Sequence, residues 1–198
     1  MISIHALSGP AVVPHLDAVA ALRIAVFRDW PYLYDGDAAY EKHYLSTYAG
    51  SQRSLFVLAF DGDRVVGAST GIPLADETAA FRQPFFARAI PAGEVFYFGE
   101  SVLLPEYRGR GIGHRFFDER ERYARSLGGF AMTAFCAVER APDDPRRPRD
   151  YRANDVFWSK RGYRPQDDMF CTLDWRECGD AGESPHRLRF WLRPLEPA

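Results

Sequence analysis

Tyr107-Arg108-Gly109-Arg110-Gly111-Ile112-Gly113 places three glycines and two arginines at the head of an amphipathic run. The first N–H groups of a helix have no partner inside it, and together with the macrodipole they favour a bound anion. Glycines at 109, 111 and 113 keep side chains away from the approach to that backbone, while Arg108 and Arg110 add planar donor forks. The pattern predicts a phosphate-binding turn; a plain strand-to-helix turn with solvated arginines is the other reading. Just upstream, Gly99-Glu100-Ser101 interrupts two apolar runs, 95–98 and 102–104, that read as strand buried on both faces. A carboxylate in such a place is costly unless it is paired or kept for chemistry, so Glu100 is a candidate general base or half of a structural ion pair.

These residues need elements to hold them. After the turn, Phe116, Phe117, Tyr123, Ala124 and Leu127 share one stripe at helical spacing. Asp118 with Arg122, and Glu121 with Arg125, read as i,i+4 pairs on the wet side, and Gly128-Gly129 as the stop. Earlier, residues 1–7 alternate as a strand. Val19, Leu22 and Val26 mark a helix over 16–28, and Tyr40, Tyr44 and Tyr48 another over 38–48. Asp61-Gly62-Asp63 joins strands over 55–60 and 64–71 as a hairpin turn, and 77–90 reads as a helix broken at Pro84.

Downstream, 130–138 reads as a strand and 154–161 as a short helix. Met169, Cys171, Leu173 and Trp175 alternate in the next strand, as do Leu188, Phe190 and Leu192 in the last. Arg187, Arg189 and Arg193 on the opposite face of that last strand read as protection for an exposed edge. The order predicts an α/β (α+β) fold: a mixed, mostly antiparallel sheet of about seven strands flanked by helices, in a single domain over 1–198.

Composition sets modest limits. The 198 residues, 46% of them hydrophobic, suffice for one substantial core, and a net charge of −2 gives no footprint for nucleic acid or an anionic membrane. The apolar stretch from Ala11 to Phe27 is broken by Pro14, His15, Asp17 and Arg23, so neither signal peptide nor membrane span is expected. Cys136, Cys171 and Cys178 are an odd, scattered set without metal-ligand spacing, which suggests free thiols, no metal and a cytoplasmic setting.

The Arg-x-x-Gly-x-Gly signature of Arg108, Gly111 and Gly113, after Pro105-Glu106-Tyr107, resembles the acyl-CoA loop of the GNAT N-acetyltransferase superfamily. Residues 154–163, ending in Gly162-Tyr163, are similar to the later helix of that family, which closes on a Gly-aromatic pair. The two motifs stand in the family's order, and the resemblance covers roughly 55–175. It implies a sheet that splays open after its fourth strand to admit acetyl-CoA as acyl donor. It further implies cofactor contacts from Val102, Leu103 and Leu104 on the splayed strand, from Arg108, Gly109, Arg110, Gly111, Ile112 and Gly113 in the turn, and from Asn154 and Trp158 on the later helix.

Acyl transfer to a lysine-like amine, with a pKa of about 10.4, needs a base to take its proton, and Glu100 lies where the resemblance places an acidic residue. A backbone N–H near Val102 or Leu103 would serve the oxyanion, with Gly99 either letting the strand bulge or simply packing. Trp158 occupies the position of the family's proton-donating tyrosine, and an indole cannot act as that acid. Tyr151, Tyr163 or solvent would have to replace it, and Tyr163 is taken as the catalytic candidate. Asn154 reads equally as a pantetheine contact and as a helix N-cap. Cys136 has no histidine partner in any recognisable motif, so direct attack in a ternary complex is expected over an acyl-enzyme.

The resemblance implies a small-molecule or peptide amine as acceptor. The segment Trp30-Pro31-Tyr32-Leu33-Tyr34-Asp35-Gly36-Asp37 could wall its site, or fill core and make an ordinary turn. The long loops 75–94 and 141–152 could do the same, and the arginines at 146, 147, 149 and 152 could reach a cofactor phosphate or stay solvated. A homodimer is the commonest assembly for such a chain. A CoA-binding module with little activity is the alternative reading. A mononucleotide or dinucleotide site fits poorly, because the turn lacks both the Lys-Ser/Thr of a P-loop and Gly-x-Gly-x-x-Gly spacing.

Overall fold

The computed structural model describes residues 1–196. The strands are β1 (Ile2–Leu7), β2 (Leu55–Asp61), β3 (Arg64–Pro73), β4 (Val95–Leu103), β5 (Met132–Val138), β6 (Arg164–Arg176) and β7 (Glu183–Pro194). The helices are α1 (Leu16–Phe27), α2 (Ala38–Gly50), α3 (Ala79–Phe86), α4 (Ile112–Leu127) and α5 (Asp155–Lys160). The described residues form one seven-stranded sheet in the order β1-β2-β3-β4-β5-β7-β6, the mixed and mostly antiparallel architecture expected from the sequence.

β4 and β5 are the parallel pair, because α4 carries the chain back across the sheet between them. Their pairing begins at Val95↔Met132 and stops at Tyr97↔Ala134, although β4 continues to Leu103 and β5 to Val138. Beyond residue 97 the two strands diverge, so the sheet opens where the resemblance implied.

β4 does not break at Gly99-Glu100-Ser101; it runs through with a bulge. Ser69 pairs with Ser101 and Gly71 with Phe98, so Gly99 and Glu100 together oppose Thr70. The extra residue reverses the alternation of side chains. Val95 and Tyr97 face the main core under α1 and α2, and Phe96 and Phe98 face the cluster under α4, but after the bulge it is Val102 that joins the main core. A Cβ on Gly99 would sit 2.5 Å from Thr70 Oγ1 and closer still to the Tyr48 hydroxyl, so the glycine also serves close packing.

α4 departs from its expected face. Leu127 is exposed, while Arg120 is 1% exposed and Glu121 5%, both inside the stripe rather than on the wet side. The expected i,i+4 pairs do not form. Arg122 bonds Glu119, Arg125 donates to the Glu196 carbonyl, Asp118 pairs with Arg161, and Glu121 is shared by Arg161, Arg193 and Tyr163. For Glu121 the long-range partners prevail because a buried carboxylate needs several donors at once.

Two further expectations change. β7 lies between β5 and β6, so Arg187, Arg189 and Arg193 guard no edge; Arg187 and Arg189 pair with Glu139 and Arg193 with Glu121. The edge is β6, whose register is interrupted between Pro165 and Phe170. Pro84 sits inside α3, which ends two residues later, so the missing N–H falls in the last turn of a short helix instead of breaking a long one. The stretch Gly9–Phe27 is long and apolar enough to cross a membrane by composition. Here Val12, Val19, Ala20 and Leu22 enter the main core, and Arg23 is held by two buried carboxylates.

Candidate active site

The glycine turn reaches α4 through Gly109 at φ 75° and Gly111 at φ 78°, left-handed values that side chains disfavour. A Cβ at either would meet nothing within 4 Å, so the face in front of the turn is open. Gly111 is the N-cap, and the first free amides of α4 follow it. Arg108 Nε donates to the Leu103 carbonyl at 3.2 Å and Arg110 Nη2 to the Glu106 carbonyl at 2.8 Å, which braces both exposed arginines beside the turn. Ile112 buries its side chain in the core, so its contribution to a ligand is limited to its backbone.

The open edge of β4 supplies the next donors. Leu104 N–H bonds the Val66 carbonyl at 3.0 Å, so by alternation Val102 also turns its amide to β3 and Leu103 turns its amide to the splay. Of the three residues named from the resemblance, Leu103 alone has its amide on the open side. Val102 and Leu104 give their amides to the β3 ladder, so neither amide is free for a cofactor.

Glu100, 5% exposed, lies on the α1–α2 side of the bulge. Its Oε2 is 2.7 Å from Arg23 Nη1 and 3.4 Å from the Tyr44 hydroxyl, and Arg23 Nε also bonds Glu41. Burial raises the Glu100 pKa from its ordinary value, with Arg23 pulling it back. The structural ion pair weighed from the sequence is therefore present, yet Glu100 Oε1 is buried with no hydrogen-bond partner among the described residues. Glu100 lines a cavity of about 90 Å³ together with Arg23, Glu41, Tyr44, Tyr97 and Gly99, and the cavity also touches Cys136 on the far side of the splay. A broader depression of about 450 Å³ at Thr47, Ser51, Arg53 and Asp76 is away from the splay.

Tyr163 is not brought to Glu100. It lies in the α4-side cluster, 1% exposed, its hydroxyl 2.8 Å from Thr133 Oγ1 and 3.2 Å from Glu121, and burial beside that carboxylate holds its pKa far above the ordinary tyrosine value. It is corrected to a core residue. Tyr151 stands edge-on to Trp30, partly exposed and within the electrostatic reach of Arg147 and Arg108. Trp158 packs on Phe135 and Trp191 at 5.0 and 5.1 Å between ring centroids, a core role. Asn154 caps α5 by position without a side-chain bond, and its side chain is exposed. Phe157 of α5 reaches the turn, 4.8 Å from His114, so the two motifs meet in space.

The segment 30–37 does wall the cavity, through Tyr32 and Tyr34. It is clasped by Glu177, 4% exposed, which bonds Arg140 and Arg146, while Arg140 donates to the Pro31 and Tyr32 carbonyls. Arg146 is thereby committed to the clasp. His186 stacks on Trp175 at 3.7 Å and lies 3.5 Å from Glu177.

Sequence reasoning missed three participants. Arg23 and Glu41 sit in helices read only for their apolar spacing, and Arg120 was hidden in a charged run. Arg120 donates to the Thr70 and Glu100 carbonyls at 3.2 Å each and to Ser101 Oγ at 2.9 Å, which pins the bulge from behind. Cys136 and Cys171, distant in sequence, lie 3.8 Å apart between sulfurs.

The model of the acetyltransferase (GNAT) family matches residues 20–147. No curated protein matches the chain. Among solved structures, the ribosomal-protein-alanine N-acetyltransferase of Brucella melitensis superposes with a TM-score of 0.61 at 15% identity, covering 98% of this chain and 99% of that one. NAA60 of Arabidopsis thaliana in complex with acetyl-CoA gives 0.61 at 12% identity, with 98% and 99% covered. An N-acetyltransferase of Staphylococcus aureus Mu50 gives 0.61 at 12% identity, with 99% of each covered. At such identities the structures establish a shared fold, while the family match spans more than half of the sequence, including the splayed strand and the glycine turn. The chain belongs to the GNAT acetyltransferase family.

Proposed function

We propose that this acetyltransferase moves the acetyl group of acetyl-CoA to a primary amine by direct attack in a ternary complex, with Glu100 as the base. The observation that carries the reading is the divergence of β4 from β5 after Tyr97, with the open Gly109–Gly111 turn at its end and Glu100 on its flank. The turn amides and the two braced arginines suit a diphosphate, and the Leu103 amide suits either the pantetheine arm or the thioester oxygen. Asn154 is free to add a contact to the arm.

Glu100 receives the ammonium proton, directly or through one water, and burial fits it for that task by raising its affinity for a proton. Neutral amine then attacks the thioester carbon. The C–S bond breaks as the C–N bond forms, the attacking nitrogen sheds its second proton to water, and the departing thiolate, with a pKa of about 8.5 by analogy with cysteine, takes a proton from solvent or Tyr151. Cys136 supports no acyl-enzyme, because burial and the neighbouring Cys171 raise its pKa well above the ordinary thiol value. The three free cysteines favour a reducing, cytoplasmic setting. Calorimetric titration of acetyl-CoA into the protein and into Gly111→Glu tests the reading: the parent binds and the variant, with bulk and negative charge at the turn, does not. Equal affinities would remove the turn from the site.

A further inference from the structure

The cavity beside Glu100 carries more carboxylate than its own structure uses. Arg23 takes one oxygen from Glu41 and one from Glu100, both numbered Oε2. That leaves Glu41 Oε1 and Glu100 Oε1 buried with no well-formed hydrogen bond among the described residues, although the Tyr34 hydroxyl lies near Glu41 and the Thr70 hydroxyl near Glu100, in side chains 0% and 2% exposed. With Arg120 behind Glu100 and Glu77 buried nearby, three carboxylates face two guanidinium groups, a surplus negative charge in an aromatic-walled space that is costly unless a ligand supplies the cation and the donors. Arg23 is itself locked, with its guanidinium carbon 4.3 Å from the Tyr44 ring centroid. It is therefore poorly placed to receive a third carboxylate.

We propose that Glu41 and Glu100 together form the ammonium subsite for the acceptor, and that the acceptor is a small primary monoamine with a short apolar or aromatic body. This rests on the amine-transfer reading above and narrows it. The cavity is small, about 90 Å³, which favours a short amine over a bulky one. The walls set the body, since Phe27, Tyr32, Tyr97 and Trp175 offer ring faces and edges with few free donors. Tyr40 and Asp174, the exposed members of the lining, and half-buried Tyr34 favour entry of a cation and disfavour a free carboxylate. Glu41 holds the ammonium and Glu100 draws off its proton.

The test uses the unaltered protein with acetyl-CoA and a panel read by CoA release: 2-phenylethylamine, isopentylamine, spermidine, phenylalanine and an alanine-initiated peptide. The two monoamines are expected to exceed the others in kcat/KM by at least about ten-fold, equivalent to ~1.4 kcal/mol of discrimination. Preference for the polyamine, the amino acid or the peptide would overturn the proposal while leaving amine transfer intact. A second measurement needs no turnover. Saturation-transfer NMR without acetyl-CoA should show 2-phenylethylamine bound and displaced by isopentylamine but not by the neutral 2-phenylethanol; equal competition by the alcohol would refute the ammonium subsite. Absence of acetyl-CoA binding with the NMR result retained would instead count against the donor reading. Glu41→Gln, if folded by circular dichroism, should raise the amine KM about ten-fold with acetyl-CoA affinity unchanged, the loss of one charge-assisted bond; an unchanged KM would count against Glu41.

Discussion

Arg120 Nη1 lies 3.2 Å from the backbone oxygen of Glu100, while the Glu100 side chain meets Arg23 at 2.7 Å. One arginine holds the main chain of the bulge from the α4 side and the other holds its carboxylate from the α1 side. Glu100 is thus fixed at both ends by cations from different layers.

Arg120→Met should loosen the bulge. The Thr70 and Glu100 carbonyls would lose their donor in a buried place, at about 1–3 kcal/mol each, partly offset because a charge whose pKa burial has lowered to about 10 is no longer buried. A net loss of about 2–4 kcal/mol in urea unfolding is expected, with kcat reduced. Arg120→Lys should recover little of either, since an ammonium cannot span the same acceptors. A parental unfolding midpoint in Arg120→Met would dismiss the pinning role.

Glu100→Gln should lower kcat by about a hundred-fold or more, the usual range of a general base, and leave acetyl-CoA affinity near the parental value. Because burial raises the Glu100 pKa, the parental rate should fall on the acid side at a pH above the ordinary glutamate value of about 4.3. The variant should lack that limb and regain rate at high pH, where free amine is abundant. A parental rate at neutral pH would exclude Glu100 as base.

Gly99→Ala should destabilise although alanine is small. The added methyl would lie 2.5 Å from Thr70 Oγ1 and against Tyr48, whose hydroxyl is held by Glu77. Neither neighbour has room to move, so a loss of about 1–3 kcal/mol is expected in urea unfolding. Full stability would show that the bulge can shift, and the position of Glu100 with it.

Acid should weaken the clasp around Glu177. Burial lowers the His186 pKa, with Glu177 opposing, so between the folded value and about 6.5 the unfolded chain binds the extra proton. Stability from this histidine is therefore complete above about pH 6.5 and declines as pH falls through the folded value. His186→Phe keeps a ring on Trp175 and should flatten the slope of melting temperature against pH in that window. An unaltered slope would assign it to other groups.

Local rules made much of the fold legible. Alternation located the half-buried strands β1, β6 and β7, apolar runs and the Asp61-Gly62-Asp63 turn located the central strands buried on both faces, and helical spacing located α1, α2 and α4. Burial on one side or two leaves its own mark on a few neighbouring residues. The turn at 109–113 was readable for the same reason: left-handed backbone before a helix start selects glycine whatever surrounds it. Glu100 was readable as an anomaly, a charge inside an apolar strand.

Only the tertiary structure decided which charges meet. Arg23, Glu41 and Glu100 come from three elements, Arg120 reads as one more charge on an amphipathic helix, and nothing in their spacing reveals a shared cavity or a pinned bulge. The assignment of Tyr163 failed for the same reason, since an aromatic beside a glycine carries no mark of which sheet face will bury it. Periodicity is a property of a few neighbouring residues and survives in the bare chain, whereas the pairing of buried charges is set by strand order and by one extra residue at Gly99-Glu100 that turns the carboxylate to the opposite face.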